Sequence, residues 1–327
     1  VIDWVMKTQG VGFKHAVEIL REGDTSLLFV PEKKRKYALS RRLSSPVQAE
    51  SKDQELLGQV VEYYHKTLKD APKAMEYLKA RGIMNEEAID TFKLGYSDRS
   101  LGRRLPYRQQ KGGDEIRTRL QQLGIYRSSG HEHFNGSLGI PVMDENGMVT
   151  EMYGRKVLDN LREGTPYHLY LPGPHQGVWN PAALGQREVI LYESLIDALS
   201  FWTNGFRNVT ASYGTEGFTD EMLNALITKG VKRIYIAYDR DDAGDQAAEK
   251  LAARLIGEGM EALRIQFPHK MDVNEYIRKV NPPQKSLQLL INTAKWMGKG
   301  NVPKSKPTVE EHEQSHAKPH PDAEAST

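Results

Sequence analysis

Four short apolar runs decide the fold of this chain: EVILYE at 188–193, NVTASY at 208–213, RIYIAY at 233–238 and ALRIQF at 262–267. Between them, apolar side chains recur at helical spacing over 195–202, 219–227 and 243–256. Runs of about 4–8 residues rich in β-branched side chains, alternating with helical segments, are typical of parallel strands joined by crossover helices. We therefore predict an α/β fold in which about four parallel strands form a sheet flanked by helices.

Acidic side chains follow the predicted strands. Glu193 ends the first strand, and Asp239 and Asp241 follow the third. Because ligands of open α/β sheets bind beyond the carboxyl ends of the strands, we expect these three side chains to share one site. Crowded carboxylates either raise a pKa or hold a cation, and oxygen ligands without cysteine favour Mg²⁺ or Mn²⁺. The alternative is that the acids stabilise the N-terminus of the next helix, which is the role expected for Asp242.

Four motifs of this region occur in one order: ESLID at 193–197, YGT at 213–215, YDRDDAG at 238–244 and DVNE at 272–275. They resemble the Toprim domain, which is found in bacterial DnaG-type primases, in topoisomerases and in some nucleases. Two residues depart from the family pattern, because Ser194 stands where glycine is usual and Asn274 where aspartate is frequent.

The resemblance implies the roles of five carboxylates. Glu193 is expected to be a general acid or base, or a metal-linked carboxylate, and Asp239 and Asp241 are expected to be the main metal ligands. These three would be the catalytic residues. Asp197 and Asp272 would support a second ion, so that the site would hold one to three Mg²⁺ or Mn²⁺ ions.

The chain before the sheet resembles the core of a DnaG-type primase. EYLKARGIMNEEAIDTFKLGY at 76–96 is similar to the opening of that core, and on periodicity alone it predicts packing helices. An Asn-Gly pair at 146–147 predicts a β-hairpin, whose second strand ends in YGRK at 153–156. The resemblance implies nucleotide or nucleic-acid contacts from the following residues: Arg155, Lys156, Gly214 and Thr215.

Several basic residues of the family pattern are missing. His133, Asn135 and Ser137 stand where three arginines are usual, and the segment at 166–174 lacks a lysine. His168 and Tyr170 could supply hydrogen bonds or stacking instead. We therefore expect the chain to hold template or nucleotide more weakly or in a different way.

The resemblance and the composition together predict four parts. Residues 1–48 would be the tail of an upstream zinc-ribbon module, with its zinc ligands before Val1, followed by a basic linker. A mixed α+β primase N-terminal subdomain would occupy 49–185 and the Toprim domain 186–300. Residues 301–327 are rich in Lys, Pro, Glu, His and Ser, which predicts disorder.

Composition narrows the class of protein. The 327 residues include no cysteine, which excludes disulfides and cysteine-bound zinc within the chain and suits a reducing, cytoplasmic setting. No apolar run reaches the roughly 18 residues of a membrane span. Residues 1–130 hold 24 Lys and Arg against 17 Asp and Glu, whereas residues 131–300 hold 18 against 21. A basic front and an acidic site suit a protein that binds nucleic acid with one part and metal with the other.

The leading hypothesis is a primase-type nucleotidyltransferase that makes short RNA primers from ribonucleoside triphosphates on single-stranded DNA. A replicative helicase would be a further partner, and no membrane contact is expected. Two alternatives remain open at this stage. One is a Toprim nuclease that cleaves phosphodiesters with the same metal site, and the other is a non-catalytic single-stranded nucleic-acid-binding protein of a plasmid or mobile element.

Overall fold

The computed structural model describes residues 1–9, 13–21, 45–48, 51–110, 112–269 and 271–300. The predicted disordered tail at 301–327 and most of the predicted basic linker lie outside these residues. The first two helices, α1 (Ile2–Gln9) and α2 (Phe13–Arg21), pack together through a small apolar cluster.

An antiparallel sheet organises the first half of the chain. Its strands are β1 (Gly95–Tyr96), β2 (Ser137–Met143), β3 (Val149–Lys156) and β4 (His168–Tyr170), in the order β1-β2-β3-β4. The predicted Asn-Gly hairpin joins β2 to β3, and Gly147 has a φ of 77° there. Strand β4 was not predicted as a strand, because three residues are too few to show a period of two.

Five helices accompany this sheet: α3 (Asp53–Lys69), α4 (Pro72–Ala80), α5 (Glu86–Thr91), α6 (Leu101–Arg104) and α7 (Gly113–Gln122). Helix α3 lies so close to β1 that a Cβ atom at Gly95 would be 2.8 Å from the Cβ of Tyr64. Asn85 caps α5, since its side chain accepts a hydrogen bond from the N–H of Ala88 at 2.8 Å. Within the described residues, no helix combines the length and apolar character needed to cross a membrane.

The predicted parallel sheet forms the second half. Its strands are β5 (Glu188–Tyr192), β6 (Val209–Ala211), β7 (Arg233–Ala237), β8 (Glu261–Arg264) and β9 (Lys295–Trp296), in the order β6-β5-β7-β8-β9. The first four are parallel, as predicted, and the short edge strand β9 pairs antiparallel with β8. The helices are α8 (Leu195–Thr203), α9 (Asp220–Thr228), α10 (Asp242–Gly257), α11 (Val273–Lys279) and α12 (Pro283–Asn292).

The two halves share one apolar core. Phe92 of the first half packs against Trp179 and Trp202, with ring centroids 4.4 and 5.0 Å away. All three side chains are buried. Because this cluster continues into both sheets, it sets helix α4 and strand β3 against the carboxyl edge of the parallel sheet.

Candidate metal and nucleotide site

Glu193 follows β5 at the carboxyl edge of the parallel sheet. Its backbone carbonyl accepts a hydrogen bond from the N–H of Gly214 at 2.9 Å, which ties this edge to the loop after β6. The Oε2 atom of Glu193 is buried and has no hydrogen-bond partner. Burial and the neighbouring charge of Asp239 raise the pKa of Glu193 to about 7. The carboxyl group can therefore gain or lose a proton near neutral pH.

Asp239 follows β7, the strand next to β5. The hydroxyl of Tyr192 donates to its Oδ1 at 3.1 Å, and Arg264 donates to its backbone carbonyl at 2.9 Å. Burial raises the pKa of Asp239, and the charges of Asp272 and Asp241 raise it further. The structure thus brings together carboxylates from separate strand ends, as the sequence predicts.

Asp197 lies in the first turn of α8 and is buried. Ser194, the residue that departs from the family pattern, caps this helix and donates its hydroxyl to Oδ2 of Asp197 at 2.5 Å. Burial raises the pKa of Asp197 to about 6. Its Oδ1 atom has no hydrogen-bond partner but lies 3.6 Å from the guanidinium of Arg81. The departure at Ser194 therefore holds one oxygen of Asp197 and leaves the other beside Arg81. We call the region between the acidic sheet edge and Arg81 the acidic cleft.

Asp241 and Asp272 are both helix caps. The Oδ1 of Asp241 accepts from the N–H of Gly244 at 2.7 Å, and that of Asp272 accepts from Glu275 at 2.6 Å. Asp242 lies in the first turn of α10, where an acid stabilises the helix N-terminus as predicted, and Asp241 is the cap of that helix. A carboxylate has about four lone pairs, so capping leaves Asp241 and Asp272 able to accept further ligands.

The carboxylate oxygens at this sheet edge are the type of ligand that a hard divalent cation prefers. Five carboxylates stand around one sheet edge, and two of their oxygens, Glu193 Oε2 and Asp197 Oδ1, are buried without a hydrogen-bond partner. In the part of the chain that the structure describes, however, no three acidic or histidine side chains converge closely enough to hold an ion as they stand. Side-chain rotation would have to bring them together, which is a small change for groups at strand and helix ends.

Arg81 was not predicted as a site residue. It follows the last turn of α4, and its guanidinium lies between Asp197 and the ring of Tyr77, whose centroid is 5.5 Å away. The buried amide of Asn274 donates to the backbone carbonyl of Arg81 at 2.5 Å. Asn274 therefore ties α11 to α4, which gives this second departure a structural role. No local pattern links Arg81 to Asp197, because only tertiary packing joins them.

Arg155 lies at the end of β3 and reaches the same cleft. It donates to Tyr77 Oη at 3.3 Å and to His168 Nε2 at 2.6 Å, and it stands over the ring of Tyr167 at 5.1 Å. Burial, aided by the charges of Arg155 and Arg81, lowers the pKa of His168 to about 4, so that His168 is neutral and can accept. Both ring nitrogens of His168 are engaged within the protein, by Arg155 and by the hydroxyl of Tyr153 at 2.9 Å, so its contact with template or nucleotide stays a prediction.

Lys156 does not share this cleft. Neighbouring side chains of a strand point to opposite faces, so Lys156 leaves β3 away from Arg155. It is buried, and its ammonium donates to the backbone carbonyl of Asn135. The structure therefore separates two residues that the sequence analysis grouped together.

Gly214 and Thr215 lie in a tight turn beside Glu193. Gly214 has a φ of 102°, and its carbonyl accepts from the N–H of Gly217 at 3.0 Å. Tyr213 anchors the turn, because its ring stacks on His175 with centroids 4.5 Å apart. The turn offers backbone groups to a ligand at the acidic edge.

Comparison with known proteins gives two matches to family models. Residues 63–174 match the DNA primase catalytic core, N-terminal domain, and residues 190–277 match the Toprim-like family. The DNA primase of Aquifex aeolicus is 28% identical over 264 residues, which are 75% of this chain and 50% of that protein. The DNA primase of Clostridium acetobutylicum is 26% identical over 295 residues, 85% of this chain and 46% of that protein. The chain thus spans about half the length of these curated relatives.

Solved structures agree in fold. The Aquifex aeolicus primase (zinc binding and RNA polymerase domains) gives a TM-score of 0.63 at 24% identity, covering 90% of this chain and 70% of that one. A DnaG primase catalytic domain bound to ssDNA gives a TM-score of 0.61 at 19% identity, covering 75% and 79%. Toprim primases generally use divalent metal ions, in keeping with the oxygen donor set described above. The two family matches and the shared fold support a DnaG-type primase catalytic core.

Proposed function

We propose that this chain is a metal-dependent nucleotidyltransferase core that joins ribonucleotides on a single-stranded DNA template. The observation that carries the proposal is a cleft with carboxylates on one wall and the two arginines Arg81 and Arg155 on the other. The carboxylates can hold a cation and the guanidiniums can bind phosphate. Together they suit a triphosphate substrate. The relative with bound single-stranded DNA supports DNA as the template.

Each residue of the cleft has a role in this proposal. Asp239 and Asp241 hold Mg²⁺ or Mn²⁺, with Asp197 and Asp272 supporting a second ion, and the bound cation supplies charge stabilisation at the transferring phosphoryl group. Glu193 takes the proton of the attacking 3′ hydroxyl, because its pKa of about 7 lets it accept a proton at neutral pH.

We expect the substrates to bind to residues that lie opposite the carboxylates and to the turn after β6. Arg81 and Arg155 contact phosphates, and the backbone at Gly214 and Thr215 contacts the nucleotide. We place the boundary between the primase N-terminal subdomain and the Toprim domain near 185–186. The same function implies a replicative helicase as a partner and the cytoplasm as the location.

The test is an incorporation assay with labelled ribonucleoside triphosphates, Mn²⁺ or Mg²⁺ and single-stranded templates of varied sequence. We expect template-dependent incorporation that stops in EDTA. Cleavage of the template without incorporation would instead support the nuclease, and binding without either reaction would support the non-catalytic protein. That last alternative has one observation in its favour, because the described carboxylates do not converge on one point.

A further inference from the structure

A second charged cavity lies outside the acidic cleft. It has a volume of about 360 Å³ and is formed by the loop before β2, the loop after β1 and the loop between β3 and β4. Its cationic and imidazole side chains are Arg99, Arg127, His131, His133, Lys156 and Arg162. Since Lys156 and Arg155 point to opposite faces of β3, the sheet separates this cavity from the carboxylates.

Ion pairs within the described residues do not balance the positive charge of this cavity. Among the residues that the structure describes, no ion pair joins Arg99, Arg127, Lys156 or Arg162 to a carboxylate. Glu132 lines the cavity, but it is buried and accepts hydrogen bonds from Tyr64 and Ser97 at 3.0 and 2.9 Å. Burial raises the pKa of Glu132.

Lys156 closes the back of the cavity. Its side chain is 8% exposed, and burial, together with the charges of Arg127 and Arg99, lowers its pKa. Positive groups placed this close repel one another, so the cavity is most stable when an anion occupies it.

Arg127 is held in position by a histidine. Its Nε donates to Nδ1 of His133 at 3.3 Å, and Nε2 of His133 lies 2.8 Å from the carbonyl oxygen of Tyr170. Burial lowers the pKa of His133. Because Nε2 faces a carbonyl oxygen and donates to it, Nδ1 is the nitrogen that accepts from Arg127. A guanidinium held in this way presents its remaining donors as a fork that matches phosphate.

We propose that this cavity binds a terminal triphosphate. Its volume is at the lower end of the roughly 300–1,000 Å³ of small-ligand pockets, which suits a compact polyanion. A triphosphate places at least three negative charges in one cavity, whereas a nucleic-acid strand that crosses the cavity brings one negative charge per nucleotide. The inference rests on the proposed function: the 3′ hydroxyl attacks the incoming nucleotide and pyrophosphate leaves, so the first nucleotide of the product keeps its triphosphate. Because the sheet separates the cavity from the carboxylates, this triphosphate is the 5′ end and not the reacting group.

The test is calorimetric titration of the whole chain with inorganic tripolyphosphate in EDTA at pH 7. We expect Lys156→Gln and Arg127→Gln each to weaken binding about tenfold or more. Arg187→Gln, at an exposed arginine of the other half, should leave it unchanged. Arg127 is also exposed, so its substitution tests the idea even if Lys156→Gln fails to fold. Equal affinity in Arg127→Gln and in the wild type, or no binding by the wild type at millimolar concentration, would overturn the proposal.

A second titration separates the possible sources of phosphate. An oligodeoxynucleotide without terminal phosphates should bind Arg127→Gln as well as the wild type. If its affinity falls as much as that of tripolyphosphate, the cavity belongs to a strand-binding track and the proposal is wrong. Asp239→Asn should abolish incorporation yet keep tripolyphosphate binding, so failure of the proposed function is distinguishable from failure of this one.

Discussion

The acidic cleft and the basic cavity are electrostatic opposites on one protein. Each places like charges close together, and each contains a partly or fully buried group whose pKa shift favours its neutral form. The pKa of Glu193 rises in the cleft and that of Lys156 falls in the cavity. Both regions therefore carry an electrostatic cost that a ligand of opposite charge relieves. Like charges can stay this close together in the folded protein only where packing keeps the charged groups in place.

The two regions differ in how that cost is met without ligand. In the cleft, Arg81 from the other half of the chain stands 3.6 Å from Asp197 and offsets part of the negative charge. In the cavity, the described cations have no carboxylate in an ion pair, and Lys156 makes a hydrogen bond to a carbonyl instead. The cleft is thus compensated across the two halves, whereas the cavity is not.

The largest expected effect tests proton transfer in the cleft. Glu193→Gln keeps the shape and removes the charge, so incorporation should fall by roughly 10²–10⁴-fold, as for loss of a general acid or base. Mn²⁺ affinity should change less than in Asp239→Asn, which removes a main ligand. Incorporation and calorimetric Mn²⁺ titration measure the two effects, with the exposed Glu163→Gln as a control. If both cleft variants kept full activity, the assignment of the site would be wrong.

A moderate effect concerns stability without metal. The folded pKa of Glu193, about 7, lies above its ordinary 4.5, so its contribution to stability is complete below pH 4.5 and is lost as pH rises through 7. Glu193→Gln stays neutral at every pH. It should therefore melt close to the wild type at pH 5 and about 2–4 °C higher at pH 8, since screening of this partly exposed group limits the gain to about 1 kcal/mol.

Melting curves in EDTA across pH 5–8 check this prediction. Glu163→Gln serves again as the control, because that glutamate is exposed and its loss should shift melting equally at both ends. A difference between Glu193→Gln and the wild type that stays the same from pH 5 to pH 8 would contradict a raised pKa at Glu193.

The smallest expected effect is on the salt dependence of DNA binding, and it distinguishes the residues on the two faces of β3. Arg155→Ala should weaken binding of single-stranded DNA and reduce the slope of log affinity against log salt by about one, because one phosphate contact is lost. Lys156→Gln should leave that slope unchanged for an oligonucleotide without terminal phosphates. Fluorescence titrations at several salt concentrations measure both slopes. Equal slopes for Arg155→Ala and the wild type would make Arg155 a structural residue.

Local pattern was sufficient for most of the fold. The alternation of apolar runs and helical segments predicted the four parallel strands, and the Asn-Gly pair predicted the hairpin between β2 and β3. It missed β4 and β9, because two or three residues carry no period. It placed Asp242 at the N-terminus of α10 but did not identify Asp241 as the cap, since sequence spacing does not settle which of two neighbouring aspartates has the extended backbone of a cap.

The sequence by itself placed Glu193, Asp239 and Asp241 at one site, because they follow strands whose ends lie at one edge of a parallel sheet, whereas Asp197 and Asp272 were predicted from the family resemblance. Tertiary structure alone decided their environment. Arg81 reaches Asp197 through packing of α4 against the second half, and Asn274 fastens that contact. It also decided that Arg155 and Lys156 serve different sites. The physical reason is that pKa and charge compensation depend on burial and on distances of a few ångströms between residues far apart in the chain, which periodicity and motif spacing do not encode.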